Sequence, residues 1–199
     1  MWGVLCTWLA AVGWHLAANQ VVARVGAAWV RPPFTAPLRD VLHTALPRLD
    51  VSGLGGELLH AWSILPAVAA VWQGCGLWWV RVHTLILVVR PVCFLGTLLP
   101  DASGVGRRPG VLDVRGGVHD LVFSGHTASA LAGACVLGLH ADPARGLASV
   151  LLPWAAFVGC LVQSLCILAA RQHYTVDVMV AWLVAPLLTH WAHTQGFWL

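Results

Sequence analysis

Arg171-Gln172-His173-Tyr174-Thr175-Val176-Asp177 lies between two long apolar runs and sets a histidine and an aspartate four residues apart. On a helix, positions i and i+4 share a face, so the carboxylate can accept a hydrogen bond from the imidazole. That contact fixes the tautomer and leaves the second ring nitrogen basic and free to attack. Upstream, Asp120-Leu121-Val122-Phe123-Ser124-Gly125-His126-Thr127 supplies a second histidine, again just ahead of an apolar run. Ser124 reads as a helix N-cap, and a helix N-terminus can bind phosphate through its free N–H groups. Two histidines and a carboxylate at the mouths of apolar helices point to acid-base and nucleophilic chemistry at a lipid surface. The same residues could also form a structural hydrogen-bonded pair, or relay protons in a channel or transporter.

Composition decides the solvent. Of 199 residues, 59% are hydrophobic and 10% charged, against roughly 25% charged in ordinary globular domains, and the mean hydropathy is +0.78. The chain reads as an all-α integral membrane protein, a single six-transmembrane-helix bundle over residues 1–199. Expected spans are 2–30 (core ending near Val22), 58–80, 82–99, 121–139, 147–170 and 174–192, lengths that suit a hydrocarbon core of ~30 Å. Arg81 is expected to mark a tight turn between the second and third. The first run lacks a basic n-region and an obvious cleavage site, so it reads as an anchor rather than a removed signal peptide. Residues 31–57, broken by four prolines, form a loop with a short interfacial helix over 37–46, and 100–120 form a second loop. Of the twelve tryptophans, Trp2, Trp29, Trp78, Trp79, Trp191 and Trp198 fall near span ends, where the indole favours the interface.

Parity places the chemistry. The span after His126 leads away and the next returns to His173, so both histidines face one side, and the two loops open there too. Arg90 lies mid-span, where an unpaired charge costs at least ~2.5–3.5 kcal/mol. It needs an acid such as Asp177 or an anionic substrate. Asp120 and Arg171 flank the motifs as further candidates, Arg171 for steering an anionic headgroup. The other histidines (His15, His43, His60, His83, His140, His190 and His193) read as packing or interfacial residues. The six cysteines all fall inside apolar runs with no CxxC pair, so they read as buried thiols rather than a metal site. No metal, cofactor or nucleic-acid partner is expected.

The two histidine stretches, with Asp120 before the first, resemble the C-terminal signature motifs of the sphingomyelin synthase family, which is similar in turn to the lipid phosphate phosphatases. Arg90 followed by Gly96-Thr97-Leu98-Leu99-Pro100-Asp101 resembles that family's third-span motif, and Leu46-Pro47-Arg48-Leu49-Asp50 weakly echoes its first-loop motif. The resemblance covers about residues 45–185. It implies a ceramide phosphotransferase acting on ceramide and a phospholipid donor among membrane lipids. By that resemblance His173 is the nucleophile, Asp177 its orienting base and His126 the acid, with Asp120, Ser124, Arg90 and Arg171 toward the substrate. It also implies the Golgi or plasma membrane and a lumenal or extracellular active site, although the arginine balance alone points the other way. The departures are Val118-His119 where the family has Cys-Gly, and Arg171-Gln172 where it has His-Glu. Phe123 and Ile167 stand where the phosphatases have Pro and Arg. His83 and Arg90-Pro91 mimic the first phosphatase motif, so a lipid phosphate phosphatase is the alternative.

Overall fold

The computed structural model describes residues 2–29, 37–50, 58–59, 61–97, 99–100, 102 and 122–195. Among the described residues every regular element is helical. They are α1 (Trp2–Trp29), α2 (Val41–Ala45), α3 (Leu65–Trp72), α4 (Gly76–Leu95), α5 (Gly125–Leu139), α6 (Leu147–Ala169) and α7 (Thr175–Thr194), with a 3₁₀ turn at Pro143–Arg145. Residues 58–59 and 61–62 are helical as well.

The middle of the fold is α5, and its composition explains why. Small residues dominate it, and Ala128, Ala130, Leu131, Ala132, Gly133 and Ala134 are buried around the whole circumference. A helix apolar and buried on every side belongs inside a bundle, and small side chains let neighbours approach closely. A Cβ on Gly133 would lie 2.6 Å from Pro66 of α3, so only glycine fits there. Helices α3, α4, α6 and α7 pack around α5, and α1 lies outermost, against α4.

Along α4 the buried stripe runs Val82, Ile86, Arg90, Phe94 at four-residue spacing, so an arginine occupies a core position. On α7 the alanines Ala181, Ala185 and Ala192 face inward, while Met179, Leu183 and Leu187 are exposed. Bulky residues outside and small ones inside suit a helix whose surroundings are lipid rather than water. Three helices, α4, α6 and α7, are long and apolar enough to cross a membrane. The 15-residue α5 is apolar but shorter. The 28-residue α1 has the length, ~42 Å at 1.5 Å per residue, but carries His15, Asn19, Gln20 and Arg24. Six full spans are therefore more than the described helices themselves display.

Arg81 does not mark a turn. It is buried inside α4, its guanidinium 4.9 Å from the Trp78 ring. The break falls earlier, at Gly74, whose φ of 77° ends α3. Glycine enters the left-handed region without penalty, whereas arginine is a good helix former that can lay its stem along an aromatic face. The expected second span is accordingly two short helical pieces followed by the start of α4.

Candidate active site

Four segments meet at one end of the bundle: the starts of α5 and α7, the loop around α2, and Leu99–Pro100. Tyr174, the only tyrosine in the chain, ties three of them. Its hydroxyl donates to Pro100 O at 3.0 Å and accepts from Leu38 N at 3.0 Å. This convergence is what span parity predicts for the described parts of both loops.

The approach to α7 is built as a helix-to-helix corner. Arg171 N donates to Leu168 O and Gln172 N to Ile167 O, the two bonds of a Schellman stop. That motif needs a left-handed residue, and here it is Arg171 at φ 58° rather than glycine. The side chain supplies a reason for the exception. Its guanidinium donates to Leu168 O, Leu46 O and His43 O, clamping the corner to the α2 loop. Arg171, expected to meet a headgroup, spends these donors on carbonyls.

Asp177 is fully buried at the third position of α7. One oxygen accepts from His173 Nδ1 at 3.2 Å and from Tyr174 N at 2.8 Å. The other accepts from Val122 N at 2.7 Å. One carboxylate thus caps its own helix, orients the imidazole and holds the loop that carries His126. Val122 sits at φ 84°, an unfavourable angle for a β-branched residue, and the hydrogen bond that its N–H donates to Asp177 holds it there. Ser124 N adds a bond to Asp177 O at 3.1 Å.

From that loop α5 begins. Ser124 caps it as expected, accepting from Thr127 N at 3.4 Å and donating to Thr127 Oγ1 at 3.0 Å. His126 follows on the first turn. Its ring centroid is 6.5 Å from that of His173, with the planes at 62°. His173 is engaged through Nδ1, and no described residue bonds its Nε2.

Arg90 comes up beneath this turn. It is buried, donates from Nε to Phe123 O at 2.7 Å, and has Nη1 2.9 Å from His15 Nε2. Its guanidinium lies over Phe94 at 5.1 Å, and a Cβ on Gly125 would come within 3.1 Å of Nε. None of the bonds described for Asp177 reaches Arg90. Asp120 lies outside the described residues.

Asp40 was not singled out from the sequence, yet it joins two helices. It caps α2 through His43 N at 3.0 Å, and accepts from Thr175 N at 2.7 Å and Thr175 Oγ1 at 2.5 Å. Burial opposes its ionisation, but the hydrogen bonds from Thr175 and His43 outweigh that and hold its pKa below the ordinary carboxylate value. His43 belongs to the site too, with Nε2 2.8 Å from His173 O and its ring stacked on Tyr174 at 5.7 Å. His83 stands apart: Trp8 Nε1 donates to its Nδ1 at 3.0 Å, and Nε2 is 3.1 Å from Ser129 Oγ. Among the described residues no group of three His, Cys, Asp or Glu side chains forms a metal cage.

Residues 119–194 match the family described as PAP2 superfamily C-terminal. Over 121 residues the chain is 32% identical to a phosphatidylinositol:ceramide inositolphosphotransferase of Leishmania major, covering 51% of this chain and 34% of that protein. Over 72 residues it is 38% identical to the like-named protein of Oryza sativa subsp. indica, covering 36% and 20%. Over 78 residues it is 33% identical to a Caenorhabditis elegans protein provisionally named phosphatidylcholine:ceramide cholinephosphotransferase 3, covering 37% and 21%. The chain thus spans between a fifth and about a third of the length of these relatives. No solved structure matches it.

Proposed function

Taking the sphingomyelin synthase-like, PAP2-type C-terminal segment as the premise, we propose that this chain transfers a phosphorylated headgroup from a glycerophospholipid to ceramide, giving a phosphosphingolipid and diacylglycerol. The observation that carries the reading is the facing pair, His126 and His173 with 6.5 Å between ring centroids, with Asp177 on Nδ1 of His173. All three residues lie inside the matched segment.

The chemistry follows in two displacements. His173 Nε2 attacks the donor phosphorus and the bond to the diacylglycerol oxygen breaks. Protonated His126 gives its proton to that departing oxygen. Neutral His126 then takes the proton of the ceramide hydroxyl as its oxygen attacks phosphorus and the N–P bond breaks. Proton delivery of this kind contributes ~10²–10⁴-fold, and the covalent intermediate splits one difficult displacement into two. Arg90 and the N-terminus of α5 supply the positive field in which the phosphate sits. Because His173 Nε2 is needed for phosphorus, turnover is metal-independent and survives a chelator. Asp120, Ser124 and Arg171 complete the substrate surround, Ser124 and Arg171 by positioning backbone. By the same likeness the active face is lumenal or extracellular, in the Golgi or plasma membrane.

A lipid phosphate phosphatase would use water in place of ceramide. His83, which with Arg90-Pro91 mimics that enzyme's first motif, has both ring nitrogens engaged by Trp8 and Ser129, which favours transfer. The deciding experiment supplies the purified protein with labelled ceramide and a mixture of phospholipid donors. Ceramide-dependent phosphosphingolipid, lost in His173→Ala, is the expected result. Phosphate released from phosphatidic acid without any ceramide-derived product would replace this reading with the phosphatase.

A further inference from the structure

Away from the histidine pair, a cleft of about 340 Å³ opens between α6 and the stretch carrying Leu58, Leu59 and Trp62, within the ~300–1,000 Å³ range of small-molecule sites. Among the described residues its lining is apolar except at Asp50 and Gln163. Leu59, Trp62, Val162 and Cys166 supply the apolar walls. Trp62 can pack close against α6 because residue 159 is glycine, where a Cβ would fall 2.7 Å from the indole. The exception that matters is Gln163, only 2% exposed. Its Nε2 donates to Leu59 O at 3.1 Å, and its Oε1 is buried with no hydrogen-bond partner among the described residues.

An unpaired amide oxygen inside a membrane protein is costly, because neither lipid tails nor bulk water can satisfy it. What it lacks is a donor, so a matching ligand carries an N–H or O–H close to an alkyl chain. The ester region of a glycerophospholipid offers acceptors alone. A ceramide carries an amide N–H and a secondary hydroxyl at the root of its chains.

The cleft is also tied to the catalytic end. His43 Nε2 reaches His173 O and Leu49 N donates to Ala169 O, so one short loop edges both places. Gln163 lies six residues before the end of α6, ~9 Å down its axis from the corner that leads to His173. We propose that this cleft seats the acceptor lipid and that Gln163 Oε1 accepts a hydrogen bond from its amide or hydroxyl. Gln163 then separates sphingoid acceptors from diester glycerolipids. The inference rests on the transferase reading above and assigns its acceptor subsite.

Cys166, a free and partly exposed thiol in the cleft wall, reports occupancy directly. Alkylation of Cys166 by N-ethylmaleimide is followed by peptide mass in the full-length protein carrying His173→Ala, which cannot turn over. The probes are a ceramide and a 1,2-diacyl-3-acetylglycerol of matched chains, the latter having no donor. Ceramide is expected to slow Cys166 modification and the triester is not. Gln163→Leu should raise the ceramide concentration for half-protection about tenfold, the size of one lost hydrogen bond. Equal protection by both lipids, or none by either, overturns the proposal and requires no substitution at Gln163. Protection by ceramide in a protein whose wild type makes no phosphosphingolipid keeps the cleft and sinks the transferase. Transfer without protection does the reverse.

Discussion

Helices α5 and α7 each open on a histidine, and their N-termini are finished in opposite ways. At α7 two carboxylates close the turn. Asp177 takes Tyr174 N, Asp40 takes Thr175 N, and both are charge-assisted bonds at the positive end of the helix dipole. At α5 the cap is the neutral Ser124, and the Arg90 guanidinium lies under Gly125. The α7 turn is capped by carboxylates and the α5 turn by a neutral hydroxyl. A phosphate between the two rings would therefore settle on the α5 side, with His173 attacking from the rigid α7 side. Substitutions that exchange the two kinds of terminus test this division.

The largest effect should come from the ring that attacks. His173→Ala is expected to lower headgroup transfer by about 10⁴-fold or more, the scale of losing a nucleophile from a cooperating set, with the helical content by circular dichroism unchanged. Asp177→Asn should follow closely. The amide keeps a single acceptor oxygen; turned to Val122 N, it sets its NH₂ against Tyr174 N–H and His173 Nδ1 and no longer holds the Nδ1–H tautomer, an error that costs ~10⁴-fold in a comparable His-Asp pair. A kcat fall with KM nearly constant would identify orientation as the cause. A rise in KM with kcat unchanged would assign Asp177 to substrate binding.

Ser124→Asp makes α5 resemble α7. Aspartate is as good a cap as serine, so the helix should keep its stability, while a carboxylate now repels the donor phosphate. The apparent KM for donor is expected to rise by about tenfold or more, since like-charge juxtaposition at a site costs several kcal/mol. An unchanged KM would remove the phosphate from the α5 terminus.

Much of this arrangement was legible because it is local. The i,i+4 spacing of His173 and Asp177, the Ser124 cap and the side shared by the two histidines all follow from helical geometry and span counting. Other parts rest on long-range pairing that local pattern does not encode. Asp40 lies in a proline-broken loop, and its partner Thr175 is 135 residues away. A capping signal, aspartate ahead of Val41-Leu42-His43, was present and could have marked it. His15 and Asn19 could have been flagged as costly polar residues one turn apart in an apolar helix. Arg81 misled because charge was taken as a span end, whereas the aromatic face of Trp78 accepts it inside α4.

Asp40 gives the next prediction, on stability. Its folded carboxyl ionises below its ordinary value through the Thr175 and His43 bonds. A depressed carboxylate contributes stability above its unfolded pKa, ~3.9, and loses it as pH falls through the lower folded value. Asp40→Asn should therefore flatten the acid arm of thermal stability below about pH 4 and cost about 1–2 kcal/mol near neutrality, as for a lost helix cap. Parallel acid arms for the two proteins would show that Asp40 is not the titrating group.

Arg171 should yield the smallest effect and the finest test of the corner before α7. Two opposing contributions meet there. The left-handed backbone at φ 58° costs a non-glycine residue ~1–2 kcal/mol. The guanidinium bonds to Leu168, Leu46 and His43 carbonyls return energy by joining α6 to the α2 loop. Arg171→Ala removes the bonds and keeps the strain; Arg171→Gly removes both. Glycine also loosens the unfolded chain, which offsets part of its gain. The glycine variant should therefore be the more stable of the two by about 1 kcal/mol or less, read from denaturation midpoints. Both should retain transfer within about tenfold of wild type, because Arg171 acts through the loop that steadies His173 rather than on phosphate, and a backbone clamp of this kind costs on the order of one hydrogen bond. A loss on the scale of His173→Ala, accompanied by a raised donor KM, would return Arg171 to the headgroup.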